Sequence, residues 1–167
     1  MTQVLITVGS FVFVANAEED AAPQTWSEFR KLLPYKNKLI QARWSGEAAW
    51  APMGEFKLDV GFQNHTSYPA PGHIIFYPGG FSETEILFPY GGVSFASRMG
   101  QLAGNHFMTV TEGLLISFMH SARKLCGKAH RTSFSRRFIG LSVTTALRGI
   151  QSARPVRAKQ AARYGRF

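Results

Sequence analysis

Turn residues interrupt this chain so often that long helices have no room to form. Gly9-Ser10, Pro34, Tyr68-Pro69, Ala70-Pro71-Gly72, Pro78-Gly79-Gly80 and Pro89-Tyr90-Gly91-Gly92 all fall within the first 92 residues. Proline removes a backbone donor, and glycine reaches turn conformations closed to other residues. Between these breaks lie short runs of β-branched, aromatic and aliphatic residues. Val4–Val8, Phe11–Ala15, Lys38–Trp44, His73–Tyr77, Glu85–Phe88, Val93–Ala96 and Asn105–Val110 read as strands. Glu55–Gly61 reads as strand or loop, and Asn64–Gly72 as loop. One segment has helical spacing: Ala22, Trp26, Phe29 and Leu33 share a face, Pro23 suits a first turn, and Pro34 ends the run. Trp26 is therefore expected in the core. Many short strands with one early helix predict a mainly β fold, a compact closed barrel or sandwich.

The first strands form a sharper expectation. VLITVGSFVFVANA is apolar and ends in Ala15-Asn16-Ala17, which imitates a leader-peptide cleavage site. No Lys or Arg precedes it, and Gly9-Ser10 divides it as a two-residue hairpin turn would. A hairpin is expected. The single cysteine, Cys126, excludes an internal disulfide framework and a cysteine-rich zinc site, which points to the cytoplasm. No apolar run reaches the roughly 18 residues of a membrane-spanning helix. No membrane partner is expected, and a homo-oligomer is compatible with the sequence.

Net charge is +9, but it is unevenly placed. Residues 1–113 carry seven of the 19 Lys and Arg and all ten acids; residues 114–167 carry the other twelve bases and no acid. The sequence thus divides into a mildly acidic barrel domain, 1–113, and a basic tail, 114–167, partly helical or disordered. Within the tail, Leu115, Phe118, Met119 and Ala122 are spaced for a short helix, and Pro155 breaks any later one. Three readings of the tail stand side by side. It is an arm that neutralises phosphates on nucleic acid or a membrane surface, a basic helix that docks on a partner, or the composition of a GC-rich gene read in a shifted frame. Nucleic acid is expected only through this tail.

The run from Glu19 to Pro34, EDAAPQTWSEFRKLLP, resembles the early helix of cyclophilin-fold proteins. RWSGEAAW, NHTSYPAPG, YPGG, SETEILFPYGG, FAS and GQLAGNHF together resemble a bacterial family of cyclophilin-like proteins of unknown function, over about residues 3–113. The resemblance implies a small closed β-barrel with one or two helices and implies no known activity. Prolyl isomerases of this fold carry F-H-R-x-x-x-x-F-x-x-Q-G-G-D. The matching region here is LIQARWSGEAAWAPMGE, where Arg43 stands near the place of the catalytic arginine and the Phe, Gln and Gly-Gly-Asp are absent. Prolyl isomerase is kept as an alternative function. The resemblance also implies a short helix and a closing strand after Thr111-Glu112-Gly113. LLISFMHSARKLCGKAH departs from that continuation and leaves the closing strand unassigned.

The candidate site residues follow from side-chain chemistry. Arg43 offers a planar fork for a carboxylate or phosphate, and Trp44 and Trp50 can wall a pocket around it. Tyr77, Gln101 and Asn105 complete the expected ligand contacts. Glu47, His106, Glu83 and Glu85 are the acid–base candidates; Glu83 and Glu85 share a strand face, and His106 is the best placed general base. The alternative for each is structural: an Arg43–Glu47 pair ordering a turn, tryptophans filling a core, solvated glutamates, a satisfied histidine. His65, His73 and His106 lack metal-ligand spacing, so no metal is expected. Without G-x-S-x-G, a phosphate loop or G-x-G-x-x-G, no cofactor is expected either. The composite expectation is a protein that binds or transforms a small anionic metabolite on the barrel. If an enzyme, it is an isomerase or lyase working by proton transfer.

Overall fold

The computed structural model of the protein describes residues 1–113 and 139–145. The expected hairpin opens the chain. β1 (Gln3–Val8) and β2 (Phe11–Ala17) pair antiparallel around Gly9, whose φ of 59° lies in the left-handed region that glycine tolerates. Helix α1 (Pro23–Phe29) follows, then a 3-10 turn (Arg30–Leu32), and Pro34 ends the run. Next come β3 (Tyr35–Gln41), β4 (Gly46–Gly54), the two-residue β5 (His65–Thr66), β6 (His73–Tyr77) and β7 (Thr84–Val93). β8 (Ala96–Ser97) and β9 (Gly100–Gln101) form a small hairpin before β10 (Gly104–Gly113).

The eight long strands close on themselves. Their order is β2-β1-β11-β3-β4-β7-β6-β10, and β10 returns to β2. The closing strand β11 (Ile139–Thr145) lies inside the segment that sequence reading set apart as a basic tail. It inserts antiparallel between β1 and β3, with Ile6 opposite Val143 and Leu141 opposite Asn37. Barrel closure removes the open edge that an unassigned closing strand would leave. The acid-free segment thus contributes Leu141 and Val143 to the core. The helix expected around Leu115 to Ala122 lies outside the described residues.

Alternation sorts side chains to the two faces. Val4, Ile6, Phe13, Ala15, Leu39, Ala49, Ala51, Ile74, Phe76, Ile86, Phe88 and Phe107 point inward and make one apolar core. Trp26 and Phe29 of α1 join it; the Phe29 ring meets Phe107 edge-on at 5.0 Å. The barrel interior is filled. A cavity of about 10 Å³, lined by Phe29, Leu39, Ile74 and Phe88 among others, has no room for a metabolite. Trp26 is buried as expected, and its indole N–H has no acceptor among the described residues.

β4 was missed by sequence reading because Ala48, Ala49, Ala51 and Pro52 carry little strand signal. It is stabilised by position, since β3 and β7 flank it. The start of α1 has a similar external cause. Ala22 has no side chain that can cap the helix. Gln63 does so from a distant loop: its Oε1 accepts from the backbone N–H of Gln24 (3.0 Å) and Thr25 (3.1 Å). Asn105 on β10 fixes that loop. Its Nδ2 donates to Thr25 Oγ1 (2.9 Å) and Gly61 O (2.8 Å), and its Oδ1 accepts from Gln63 N–H (3.1 Å). The side chain expected to touch a ligand is fully buried and bonded into the scaffold. Asn105→Ala would orphan several buried groups at once, so a loss of about 2–4 kcal/mol is expected in urea unfolding. A loss below about 1 kcal/mol would show that the loop holds α1 without it.

Candidate functional site

The outward faces of β4, β7 and β6 are not left to solvent. Ile75, Tyr77, Leu87 and Ala48 form a second apolar cluster on the outside of the barrel, covered by Phe95 and Leu102. Both covering residues lie in the 94–103 segment that carries the β8–β9 hairpin, which folds over the wall as a flap. Phe95 N–H donates to Ser67 O (2.7 Å), and its ring meets Tyr77 edge-on at 5.8 Å. β7 is consequently buried on both faces from Thr84 to Gly91, unusual for an antiparallel strand.

RWSGEAAW turns out to be the clasp of this flap. Ser45 is buried; its hydroxyl donates to Ala96 O (3.0 Å) and accepts from Ala96 N–H (3.2 Å). Gly46, with φ 86°, lets the chain pass Gly92 so closely that a Cβ would lie 2.6 Å from the Gly92 carbonyl oxygen. Glu47 Oε2 accepts from Gly92 N–H at 3.1 Å. Arg43 and Trp44 sit in the β3–β4 turn with their side chains outward; Trp44 is 57% exposed. Gln101, on the flap, donates to the Tyr68 hydroxyl (2.8 Å).

At the other end of the same wall lies a different constellation. Across the strands, Pro52, Glu85 and Tyr77 are register partners, and Trp50, Leu87 and Ile75 form the adjoining row. Glu85 is 7% exposed, and no hydrogen bond from the described residues reaches its carboxyl. Burial, and secondarily the charge of Glu83, pushes its pKa from 4.5 up to about 8. It is therefore mostly protonated at neutral pH. Glu83, the other half of the pair expected from spacing, is exposed just before β7. Trp50 is half-buried against the outer cluster, and the Tyr77 hydroxyl accepts from Phe81 N–H at 3.2 Å.

The structure does not bring these residues to Arg43. Gly46 pairs with Val93 and Pro52 with Glu85, six positions along β4. At the usual strand rise that is about 20 Å. One small molecule cannot span it.

His106 belongs to a third group, on β10 beside β6. Its ring stacks on His73 with centroids 3.9 Å apart and planes within 9°. Thr109 hydroxyl donates to Glu18 Oε1 (2.5 Å), so the 2.8 Å contact with His106 Nε2 requires Nε2–H to be the donor. Asn64 Nδ2 then donates to Nδ1 (3.3 Å) and to the His106 carbonyl (3.0 Å). Both ring nitrogens are engaged by neighbouring side chains. Burial, and then neighbouring His73, holds the His106 pKa below its usual value; burial does the same for His73. His65 lies apart, against Phe62. Among the described residues no group of three or more His, Cys, Asp or Glu is arranged to hold a metal ion. Sequence spacing gave no hint of the Glu18–Thr109–His106–His73 chain, because β2, β6 and β10 meet only in the barrel.

Two pH effects follow. The histidines have folded pKa values below their unfolded ones, so the unfolded chain takes up protons first on acidification. Stability is full above about pH 6.5 and declines below it. His73→Phe, which keeps the ring stack without the titration, should flatten the fall in Tm between pH 7 and 5. An unchanged slope would place the acid sensitivity elsewhere. Glu85 acts in the opposite sense. Between about pH 4.5 and 8 the fold retains a proton that the unfolded chain has lost, so this residue lowers stability as pH rises. Glu85→Gln should unfold later than the parent at pH 8, by on the order of a few kcal/mol, with the gap closing toward pH 4.5. Equal gaps at both pH values would contradict a protonated carboxyl.

Comparison with known proteins supports the architecture. A solved structure described as McbB in complex with tryptophan superposes with a TM-score of 0.58 at 14% identity. The match covers 91% of this chain and 46% of that one, so the chain spans less than half of that protein's length. At this identity the likeness concerns the fold alone. No curated protein matches the sequence significantly. Residues 4–133 match the family described as a protein of unknown function, DUF3830, over more than half of the sequence. The chain belongs to the DUF3830 family.

Proposed function

We propose that the protein binds a small polar organic molecule on the outer wall of the barrel, over Trp50, Glu85 and Tyr77, and that Glu85 exchanges a proton with it. The observation that carries this reading is the Glu85 carboxyl itself, 7% exposed and without a hydrogen bond among the described residues. Most buried polar side chains of the scaffold are bonded, as Asn105 is here, with the core Trp26 indole N–H an exception. One left unbonded weakens the fold, and such groups concentrate where proteins do chemistry.

The neighbouring side chains suit that role. A half-buried Trp50 ring can lie against a planar ligand, and a carboxyl with pKa about 8 can give or take a proton near neutrality. No activated nucleophile accompanies it, so the chemistry favoured is proton transfer, as in an isomerase or lyase. The solved relative of this barrel was captured with tryptophan, which is consistent with a small-molecule role for such a wall. We read the barrel as of the cyclophilin type, on the early helix after the opening hairpin, and place it in the cytoplasm on its single cysteine. Arg43 and Trp44, about 20 Å away along the ladder, lie outside this site. The anionic ligand expected from Arg43 is therefore not the one that Glu85 would serve.

Native mass spectrometry of the protein as purified, never refolded, tests the reading. A retained small mass is expected in the parent and should be lost in both Trp50→Ala and Glu85→Gln, with folding checked by circular dichroism. A mass that survives both substitutions, or none in the parent, would remove the wall as the binding site.

A further inference from the structure

The site proposed above has a polarity of its own. Glu85 lies between Pro52 and Tyr77 in the ladder. Among the described residues the charge acting on it is that of Glu83, exposed two residues before, just ahead of β7. In the adjoining row stands the Trp50 indole. A ring face is electronegative, and a carboxylate nearby adds to that field. Nothing in this arrangement welcomes a second anion. A ligand carboxylate or phosphate would meet Glu83, force Glu85 to remain neutral, and gain no cationic partner there among the described residues.

From this we infer that the ligand of the outer wall presents a basic nitrogen, an ammonium or a related cation, to Glu85, with its hydrocarbon or aromatic part against Trp50. This rests on the proposed function and names its ligand class. The unbonded carboxyl then acquires the hydrogen-bond donor that the described scaffold does not give it, and the ring contributes a cation–π contact. The proton balance is explicit. The cation binds next to a neutral carboxylic acid, stabilises its ionised form, and Glu85 releases its O–H proton to solvent. No bond other than O–H is broken, and no oxidant or co-reactant is needed. In a catalytic cycle the same site would hold a carboxylate base beside a nitrogen-bearing substrate.

The experiment uses the full chain and two probes that share an aromatic arm: 2-phenylethylamine, a cation at pH 7, and 3-phenylpropionate, an anion. Isothermal titration in two buffers of different ionisation enthalpy counts the protons exchanged. Amine binding with a Kd on the order of 1 mM is expected, as for a fragment of this size. Nearly one proton should be released per amine at pH 7, and binding should weaken about tenfold in Glu85→Gln with proton release abolished. Because that variant is expected to be the more stable protein, unfolding does not explain the loss. Preferential binding of phenylpropionate, lost in Trp50→Ala, would overturn the cationic class and leave the site standing. Failure of the amine to bind, while the retained mass still depends on Trp50 and Glu85, would do the same. Amine binding that Glu85→Gln leaves unchanged, protons included, would remove both the class and the site.

Discussion

The structure depends on covering the outside of its own barrel. An eight-stranded barrel of this size fills its interior with side chains and needs nothing more to fold. Here a second layer is added. Phe95 and Leu102 lie over Ile75, Tyr77 and Leu87, and Ser45 ties the layer down through its two bonds to Ala96. Glu85 lies on the same wall, and burial is the main cause that holds its pKa up.

The clasp explains why RWSGEAAW looks so unlike its surroundings. Its arginine, glutamate and two tryptophans suggest one pocket when read as a string. In three dimensions they separate, because a turn and a strand send successive residues to different places. Arg43 and Trp44 face outward in the turn, Ser45 and Glu47 hold the flap and the Gly91-Gly92 backbone, and only Trp50 reaches the wall that Glu85 occupies. The glycines are part of the same device. Gly46 passes Gly92 at a distance that no side chain permits.

Much of the scaffold was legible in the sequence, and the unread parts share a cause. The opening hairpin, α1, His73–Tyr77 and the core place of Trp26 follow from local signals: turn residues, periodicity, and Pro at each end of the helix. β4 did not, since Ala and Pro give it no local preference and its two neighbours impose the conformation. β11 did not, since an acid-free, basic segment hides an alternating strand, with Leu141 and Val143 inward. Among the site residues, the pairing of Glu83 with Glu85 was readable from an i, i+2 spacing. Which of the two is buried was not, because Glu83 falls just before β7 while Glu85 falls within it, between β4 and β6. Asn105 and His106 stand out in the sequence by side-chain chemistry, while the partners that bond them come from distant strands and loops.

The contrast between those two polar groups and Glu85 carries the functional argument. Asn105 has three internal partners, and His106 has one on each ring nitrogen, which is how a folded chain treats polar atoms it must bury. Glu85 lies on the same face of the same sheet, two strands from His106, and is treated differently. The scaffold has the means to satisfy polar side chains, since it does so at Asn105 and His106. An apolar residue at position 85, between Ile86 and Thr84, would remove the cost without disturbing the strand. The core Trp26 indole N–H is also unbonded, but it is sealed inside, whereas Glu85 stands on the outer wall, where the proposed ligand would reach it.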